Sequence, residues 1–119
     1  MRNDSITCNG EVIPARRATF GRHISISGEA AIADPFLADS PLVNADRVRG
    51  RIVVIGRGVT QFTDKAKAAA EAGAIGVIFV NTKKRLFDAI GTAEGITIPV
   101  VAVAISAREK LTDGAVCEC

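Results

Sequence analysis

The side chains that could support covalent catalysis are few in this sequence. His23 is the only histidine, so any Ser–His or Cys–His arrangement would depend on it. It lies in an alternation of polar and apolar residues, Arg22-His23-Ile24-Ser25, which is typical of a strand residue facing water. The aspartates that could supply paired carboxylates occupy turn and cap positions, which explain them without catalysis: Asp34, Asp39, Asp46 and Asp64. We therefore predict no catalytic residue and no enzymatic activity.

A glycine-rich turn between a strand and a helix is a second chemical signal. Gly56-Arg57-Gly58 stands where a dinucleotide fingerprint would place its first two glycines, but position 61, which should hold the third, is Gln61. Asn81 ends the next strand in place of the acidic residue that would bind a ribose. The Gly-Lys-Ser/Thr triplet of a phosphate loop is also missing from the sequence. We predict no cofactor.

The three cysteines are Cys8, Cys117 and Cys119, an odd number that cannot close into a complete internal disulfide framework. The closely spaced pair near residue 119 could form half of a metal site, but the sequence has no second such pair, and His23 is distant along the chain. We therefore expect no metal site, and free thiols in a reducing compartment.

Charge and hydropathy narrow the possible partners. The net charge is only +2, and no aromatic residue for base stacking lies among the basic clusters Arg16-Arg17 and Lys83-Lys84-Arg85. We interpret Lys83-Lys84-Arg85 as a solvated surface turn and predict no nucleic-acid partner. No apolar run approaches the roughly 20 residues that span a bilayer, so we expect no membrane insertion.

The N-terminal segment lacks the apolar core of a signal peptide. The predicted location is cytoplasmic. A secretory or lumenal location is the alternative if the sequence begins after a processed leader or is a domain taken from a longer protein.

The elements that must position these residues are clearest in the middle of the chain. Residues 51–56 form a short β-branched run bounded by glycines, which predicts a strand buried on both faces. A helix over 61–73 follows, with Phe62 and alanines on one face and charged residues, Lys65 among them, on the other. A second buried strand over 75–81 completes a predicted right-handed βαβ unit.

The flanking segments are less regular. Short strands are predicted near 12–33 and over 97–104, and a capping box at Ser106–Glu109 predicts a C-terminal helix over 106–113. With 119 residues and a 48% hydrophobic composition, the chain fits one domain over 1–119. We assign 1–32 to N-terminal strands or an arm and 114–119 to a tail.

The order of several motifs between residues 33 and 111 resembles the protease-associated (PA) domain family. The residues that carry this resemblance are Ala33-Asp34-Pro35, Gly50-Arg51-Ile52-Val53-Val54-Ile55, Arg57-Gly58, Phe62, Lys65, Ala69, Ala72-Gly73-Ala74, Gly76-Val77-Ile78-Phe79-Val80-Asn81 and Ile98-Pro99-Val100-Val101. The resemblance implies an α/β fold, a compact swivelling β/β/α architecture with no active site.

The resemblance also implies a function in binding proteins or peptides. In the family's sorting receptors the loop that matches Arg57-Gly58 lies at the ligand groove, so Arg57, Gly58 and Gln61 are candidate binding residues, with Asn81 as a fourth. Many secreted members carry a disulfide whose cysteines match Asp39 and Thr60 here. The resemblance therefore implies that this disulfide is absent, which favours a reducing compartment.

The sequence leaves three functional hypotheses. The first is a non-catalytic adaptor or small subunit that binds a protein or peptide partner in a larger complex, through strand-edge hydrogen bonds and a loop groove around Arg57. The second is a purely structural subunit, which an exposed apolar patch at Leu86 and Phe87 would favour. The third is a small anion-binding or swivelling enzyme domain, which would need His23 in a cleft beside a carboxylate or a bound anion.

Overall fold

The computed structural model describes residues 4–92 and 95–119. Within these residues the chain forms seven strands, β1 (Asp4–Cys8), β2 (Glu11–Arg17), β3 (Ser27–Ile32), β4 (Ile52–Gly56), β5 (Gly76–Val80), β6 (Val100–Val103) and β7 (Val116–Glu118). The helices are α1 (Ala45–Val48), α2 (Phe62–Glu71) and a 3₁₀ helix over Ile105–Lys110.

The seven strands close into a barrel in the order β1-β2-β6-β5-β4-β3-β7, with β7 pairing back to β1. Strands β3, β4, β5 and β6 are mutually parallel. The remaining pairings, which involve β1, β2 and β7, are antiparallel. A closed barrel leaves its described strands without a free sheet edge.

The predicted α/β fold class, a swivelling architecture based on a βαβ unit, is wrong: the structure is mostly β, with short helices outside a closed barrel. The segment assigned to N-terminal strands or an arm (1–32) supplies β1, β2 and β3, and the segment assigned to a tail (114–119) supplies β7. Strand β7 pairs with β1 through Cys8 and Cys117, and with β3 through Gly28 and Cys117. These terminal strands decide the fold class, because they join the two edges of the sheet.

The hairpin between β1 and β2 has a signal in the sequence. Asn9 and Gly10 form its turn and both have positive φ angles, 51° and 81°. A type I′ turn requires this at both central residues, and Asn-Gly between two strands is the strongest short-range hairpin signal. The register continues from Cys8↔Glu11 to Asp4↔Ala15.

The barrel wall separates two hydrophobic clusters, and β4 contributes to both. Ile52 and Val54 point into the barrel, where they pack with residues of β1, β2, β5 and β6. Val53 and Ile55 point outward, into a cluster that includes the alanines of α2. All residues of β4 are buried, which agrees with the β-branched run in the sequence.

Helix α2 differs from its predicted polarity at one residue. Lys65, placed on the polar face by the helical periodicity, is fully buried, and its Nζ donates a hydrogen bond to the carbonyl oxygen of Leu37. Burial lowers the pKa of Lys65, and the nearby Asp39 opposes that shift. The loop after β3 therefore lies over this side of α2. The predicted C-terminal helix over 106–113 is also corrected, to the 3₁₀ helix Ile105–Lys110.

Candidate peptide-binding groove

The turn between β4 and α2 has an unusual backbone. Gly58 has a φ of 131° and Val59 a φ of 70°. Glycine tolerates such angles, whereas a β-branched residue with positive φ is strained. Val59 is nevertheless 80% exposed, so its side chain does not contribute to the core. The turn therefore presents an apolar side chain to solvent directly beside Arg57.

Arg57 is an exposed residue, yet its guanidinium makes three contacts within the domain. The guanidinium carbon lies 4.9 Å from the ring centroid of Phe87 and 5.9 Å from that of Phe62, within the range of cation–π attraction. Its Nη1 donates a hydrogen bond to Oδ1 of Asn81 at 3.2 Å. The charge of Arg57 is thus positioned before any ligand binds.

Asn81 is the support of this arrangement. Its side chain is buried, and Oδ1 accepts the bond from Arg57 and a second bond from the amide of Thr82 at 2.8 Å. Its Nδ2 donates to the carbonyl oxygen of Arg85 at 2.9 Å. Asn81 therefore positions Arg57 and the following loop at the end of β5, and it does not present a polar group to solvent.

A groove of about 470 Å³ lies beside Arg57. One wall consists of residues at the start of α2 and in the turn before it, and the other of residues 90–92. The groove is lined by Arg57, Gly58, Thr60, Gln61, Phe62, Thr63, Ile90, Gly91 and Thr92. Ile90 is 68% exposed, while the amide of Gly91 is fixed by a hydrogen bond to the Thr19 hydroxyl at 3.0 Å. The groove combines a fixed cation with exposed apolar surface.

The structure brings three of the predicted binding residues together, since Arg57, Gly58 and Gln61 all line this groove. Leu86 and Phe87 lie differently from the predicted exposed patch. Phe87 is only 7% exposed and belongs to the outer hydrophobic cluster, where its ring supports Arg57. Leu86 is half-buried and lines a different groove.

Neither the exposure of Ile90 nor the aromatic support of Arg57 is predicted by the sequence. Phe87 lies thirty positions after Arg57, and no local pattern in the sequence shows that the two side chains meet. The exposure of Ile90 likewise depends on how residues 82–92 pass over the barrel.

His23, which the third hypothesis would require in a cleft, does not line the groove beside Arg57. His23 is exposed. No group of three His, Cys, Asp or Glu side chains that could hold a metal ion occurs within residues 4–92 and 95–119. The same part of the chain has no helix long and apolar enough to cross a bilayer.

The prediction that all three cysteines are free thiols is wrong. Cys8 and Cys117 form a disulfide inside the barrel, at a directly opposed pair of β1 and β7 whose Cα atoms are 4.1 Å apart. The pairing was not visible in the sequence because the two residues are 109 positions apart. Cys119 is the free thiol, and its burial raises its pKa to about 11.

The profile of the PA domain family matches residues 10–111, most of the chain. The chain belongs to the PA domain family. This PA domain is 30% identical over 105 residues to the ER degradation-enhancing alpha-mannosidase-like protein 3 of Xenopus laevis, covering 76% of this chain and 12% of that protein. It is 26% identical over 111 residues to the signal peptide peptidase-like 5 of Arabidopsis thaliana, covering 87% of this chain and 21% of that protein.

Solved structures show the same fold. A zinc aminopeptidase from Bacillus subtilis matches 98% of this PA domain with a TM-score of 0.75 at 24% identity, and the match covers 29% of the aminopeptidase. A subtilisin-like protease from an Antarctic Pseudoalteromonas matches 96% of it with a TM-score of 0.68 at 16% identity, covering 31% of that chain. The PA domain thus spans a minor part of each of these longer proteins.

The family membership changes the interpretation of the cysteines. The resemblance implies a reducing compartment because Asp39 and Thr60 match the positions where many secreted members carry a disulfide. This PA domain instead joins Cys8 to Cys117, close to its two ends. The residues at 39 and 60 therefore provide no argument for a reducing compartment.

Proposed function

We propose that this PA domain is a non-catalytic module that binds protein or peptide segments and acts as an adaptor or small subunit of a larger assembly. The observation that carries the proposal is the groove beside Arg57, where a guanidinium fixed by Asn81 and two phenylalanines adjoins exposed apolar side chains. Fixing a charge before binding reduces the entropy that is lost on association.

The chemistry of the groove indicates what it would bind. Among the described residues no carboxylate forms an ion pair with Arg57, so its remaining N–H groups can donate hydrogen bonds to a carboxylate of a ligand. Ile90 lines the groove and is exposed, so it offers an apolar contact to the same ligand. A peptide with a carboxylate next to an aliphatic or aromatic residue fits these features. Strand addition, expected from the sequence, is disfavoured because the closed barrel leaves no free edge.

The direct test is binding of the purified domain to a peptide array in which acidic and apolar positions are varied systematically. We expect Arg57→Glu to abolish binding of the selected peptides and Gln61→Ala to weaken it. Arg22→Glu, which makes the same charge change at an exposed residue outside the groove, should leave binding intact. An equal loss of peptide binding in Arg57→Glu and Arg22→Glu would show that the effect comes from the net charge of the domain and not from the groove. Selected peptides indifferent to Arg57 would remove the groove assignment, and the absence of any peptide binding would favour a purely structural subunit.

We further propose that this PA domain functions in an oxidising compartment rather than in the cytoplasm. Disulfides form and persist in secreted and lumenal environments, and Cys8–Cys117 is a buried disulfide. One similar protein is named for degradation at the endoplasmic reticulum, which supports the same location. Alkylation of the protein in its native host before reduction, followed by mass spectrometry, tests this: Cys8 and Cys117 should remain unmodified. Alkylation of both would place the protein in a reducing compartment.

A further inference from the structure

A second groove, of about 380 Å³, lies between the loop after β5 and the 3₁₀ helix. We refer to it as the basic groove. Its walls are Lys84, Arg85 and Leu86 from the loop, Lys110 and Ala107 from the 3₁₀ helix, and Pro14 from β2. None of these residues lines the groove beside Arg57.

The basic groove carries an excess of positive charge. Lys84, Arg85 and Lys110 are exposed, and Nζ of Lys110 lies 3.4 Å from a carboxylate oxygen of Glu11. In the part of the chain that the structure describes, Lys84 and Arg85 have no ion-pair partner. At least two cations are therefore available to a ligand.

Hydrogen bonds hold the backbone of this loop on either side of Lys84. Nδ2 of Asn81 donates to the carbonyl oxygen of Arg85 at 2.9 Å, and the amide of Ile105 donates to the carbonyl oxygen of Lys83 at 3.0 Å. These bonds hold the loop against β5 and the 3₁₀ helix. The positions of the cations are thus set by the fold, although their long side chains keep rotational freedom.

Apart from Ser106, the remaining residues that line the basic groove are apolar. Leu86 is half-buried, and the buried Ile13 and Ala107 also line the groove. No aromatic side chain is present there to stack on a nucleobase. Cations around an aliphatic surface complement a polypeptide that carries carboxylates beside an aliphatic residue, and they offer a nucleic acid only phosphate contacts.

We propose that the basic groove is a second interaction surface, which binds an acidic segment of a partner protein with carboxylates on Lys84 and Arg85 and an aliphatic side chain against Leu86. This surface is separate from the groove beside Arg57. A single partner that used both would gain affinity from the two linked contacts.

The test measures fluorescence anisotropy of a labelled peptide of alternating Glu and Leu with the full chain at low and moderate salt. The matched probe alternates Gln and Leu. We expect the acidic peptide to bind, to lose affinity as salt rises, and to weaken by roughly tenfold or more with the double variant Lys84→Glu/Arg85→Glu. Leu86→Ser should weaken binding with little change in its salt dependence. Circular dichroism checks that each variant is folded.

Two controls decide the interpretation. Arg22→Glu/Lys67→Glu changes the net charge equally at exposed residues outside the basic groove and should keep the affinity of the wild type. The acidic peptide also fits the groove beside Arg57, so the comparison is repeated in the Arg57→Glu background, which removes that contribution. There the acidic peptide should still bind and should still weaken with Lys84→Glu/Arg85→Glu, so failure of this proposal is distinguishable from failure of the function proposed above. The proposal is overturned if the Gln peptide binds equally well, if the control variant loses as much affinity, or if no peptide binding is detected. Tighter binding of single-stranded DNA or anionic vesicles with the same dependence on Lys84 and Arg85 would also overturn it.

Discussion

The Cys8–Cys117 disulfide should contribute a large part of the stability of this domain. The bond joins β1 to β7 across 109 positions, so it constrains nearly the whole unfolded chain. For a closed loop of this length the chain-entropy relation gives about 5 kcal/mol. Domains of this size commonly have a free energy of unfolding of about 5–15 kcal/mol, so its loss should leave the barrel only marginally stable. The corresponding decrease in Tm is about 20 °C.

Guanidinium unfolding of the oxidised and reduced protein measures this contribution. Both sulfur atoms belong to buried residues, so the bond must be reduced in denaturant and the chain refolded with reductant present. Comparing two forms of the same sequence separates the covalent constraint from packing. Cys8→Ala/Cys117→Ala should resemble the reduced protein, apart from the additional loss of buried sulfur contacts.

The matched control is Cys119→Ser, which removes the free thiol and leaves the disulfide in place. It should remain sensitive to reductant to the same extent as the wild type. A difference below about 1 kcal/mol between oxidised and reduced wild-type protein would refute the reasoning, because the loop-closure relation places the effect several times higher. Full sensitivity to reductant in Cys8→Ala/Cys117→Ala would also contradict it.

Three further predictions follow from individual contacts. Asn81→Ala should lower the free energy of unfolding by about 1–3 kcal/mol, because it removes the hydrogen bonds to Arg57, Thr82 and Arg85. Urea unfolding measures this change, and an unchanged unfolding midpoint would contradict the role assigned to Asn81. Hydrogen bonds from Arg47 and the amide of Ile32 lower the pKa of Asp113, so ionised Asp113 stabilises the folded state above the unfolded pKa, and this stabilisation is lost as the pH falls through the folded pKa. Asp113→Asn should therefore flatten the acid limb of a plot of stability against pH. An unaltered acid limb would contradict a role for the Arg47–Asp113 pair. Burial raises the pKa of Cys119 to about 11, so we expect its thiol to be alkylated slowly in the native protein at pH 8 and faster as the pH approaches 11. Rapid alkylation of Cys119 at pH 8 would contradict its burial.

The central elements could be predicted from the sequence because their signals are local. The β-branched run of β4 indicates a buried strand, and the spacing of alanines and charged residues in α2 indicates a helix with one buried face. Both patterns depend only on residues close together in the sequence. The motifs between residues 33 and 111 were sufficient to identify the PA domain family, and the family profile matches residues 10–111. The candidate residues Arg57, Gly58 and Gln61 belong to one turn, so their proximity follows directly from the chain.

The features that were missed depend on contacts between distant residues. Pairing of β7 with β1 and β3 converts an open sheet into a barrel, and no short-range pattern in either terminal segment shows which strand it will meet. The Asn9-Gly10 turn is the exception, since its hairpin could have been predicted from two residues. Lys65 shows the limit of periodicity, because its burial depends on a loop that folds over α2 from twenty-eight positions away.

For this PA domain the sequence by itself determined the family, the parallel strands β4 and β5, the helix between them and the turn that carries Arg57. The tertiary structure decided that the sheet closes, that Cys8 bonds to Cys117, and that Asn81 and Phe87 hold Arg57 at the edge of a groove. The physical reason is the range of the interactions: hydrophobic periodicity and turn propensity act within a few residues, whereas strand pairing, burial of a lysine and formation of a disulfide require the whole chain to be folded.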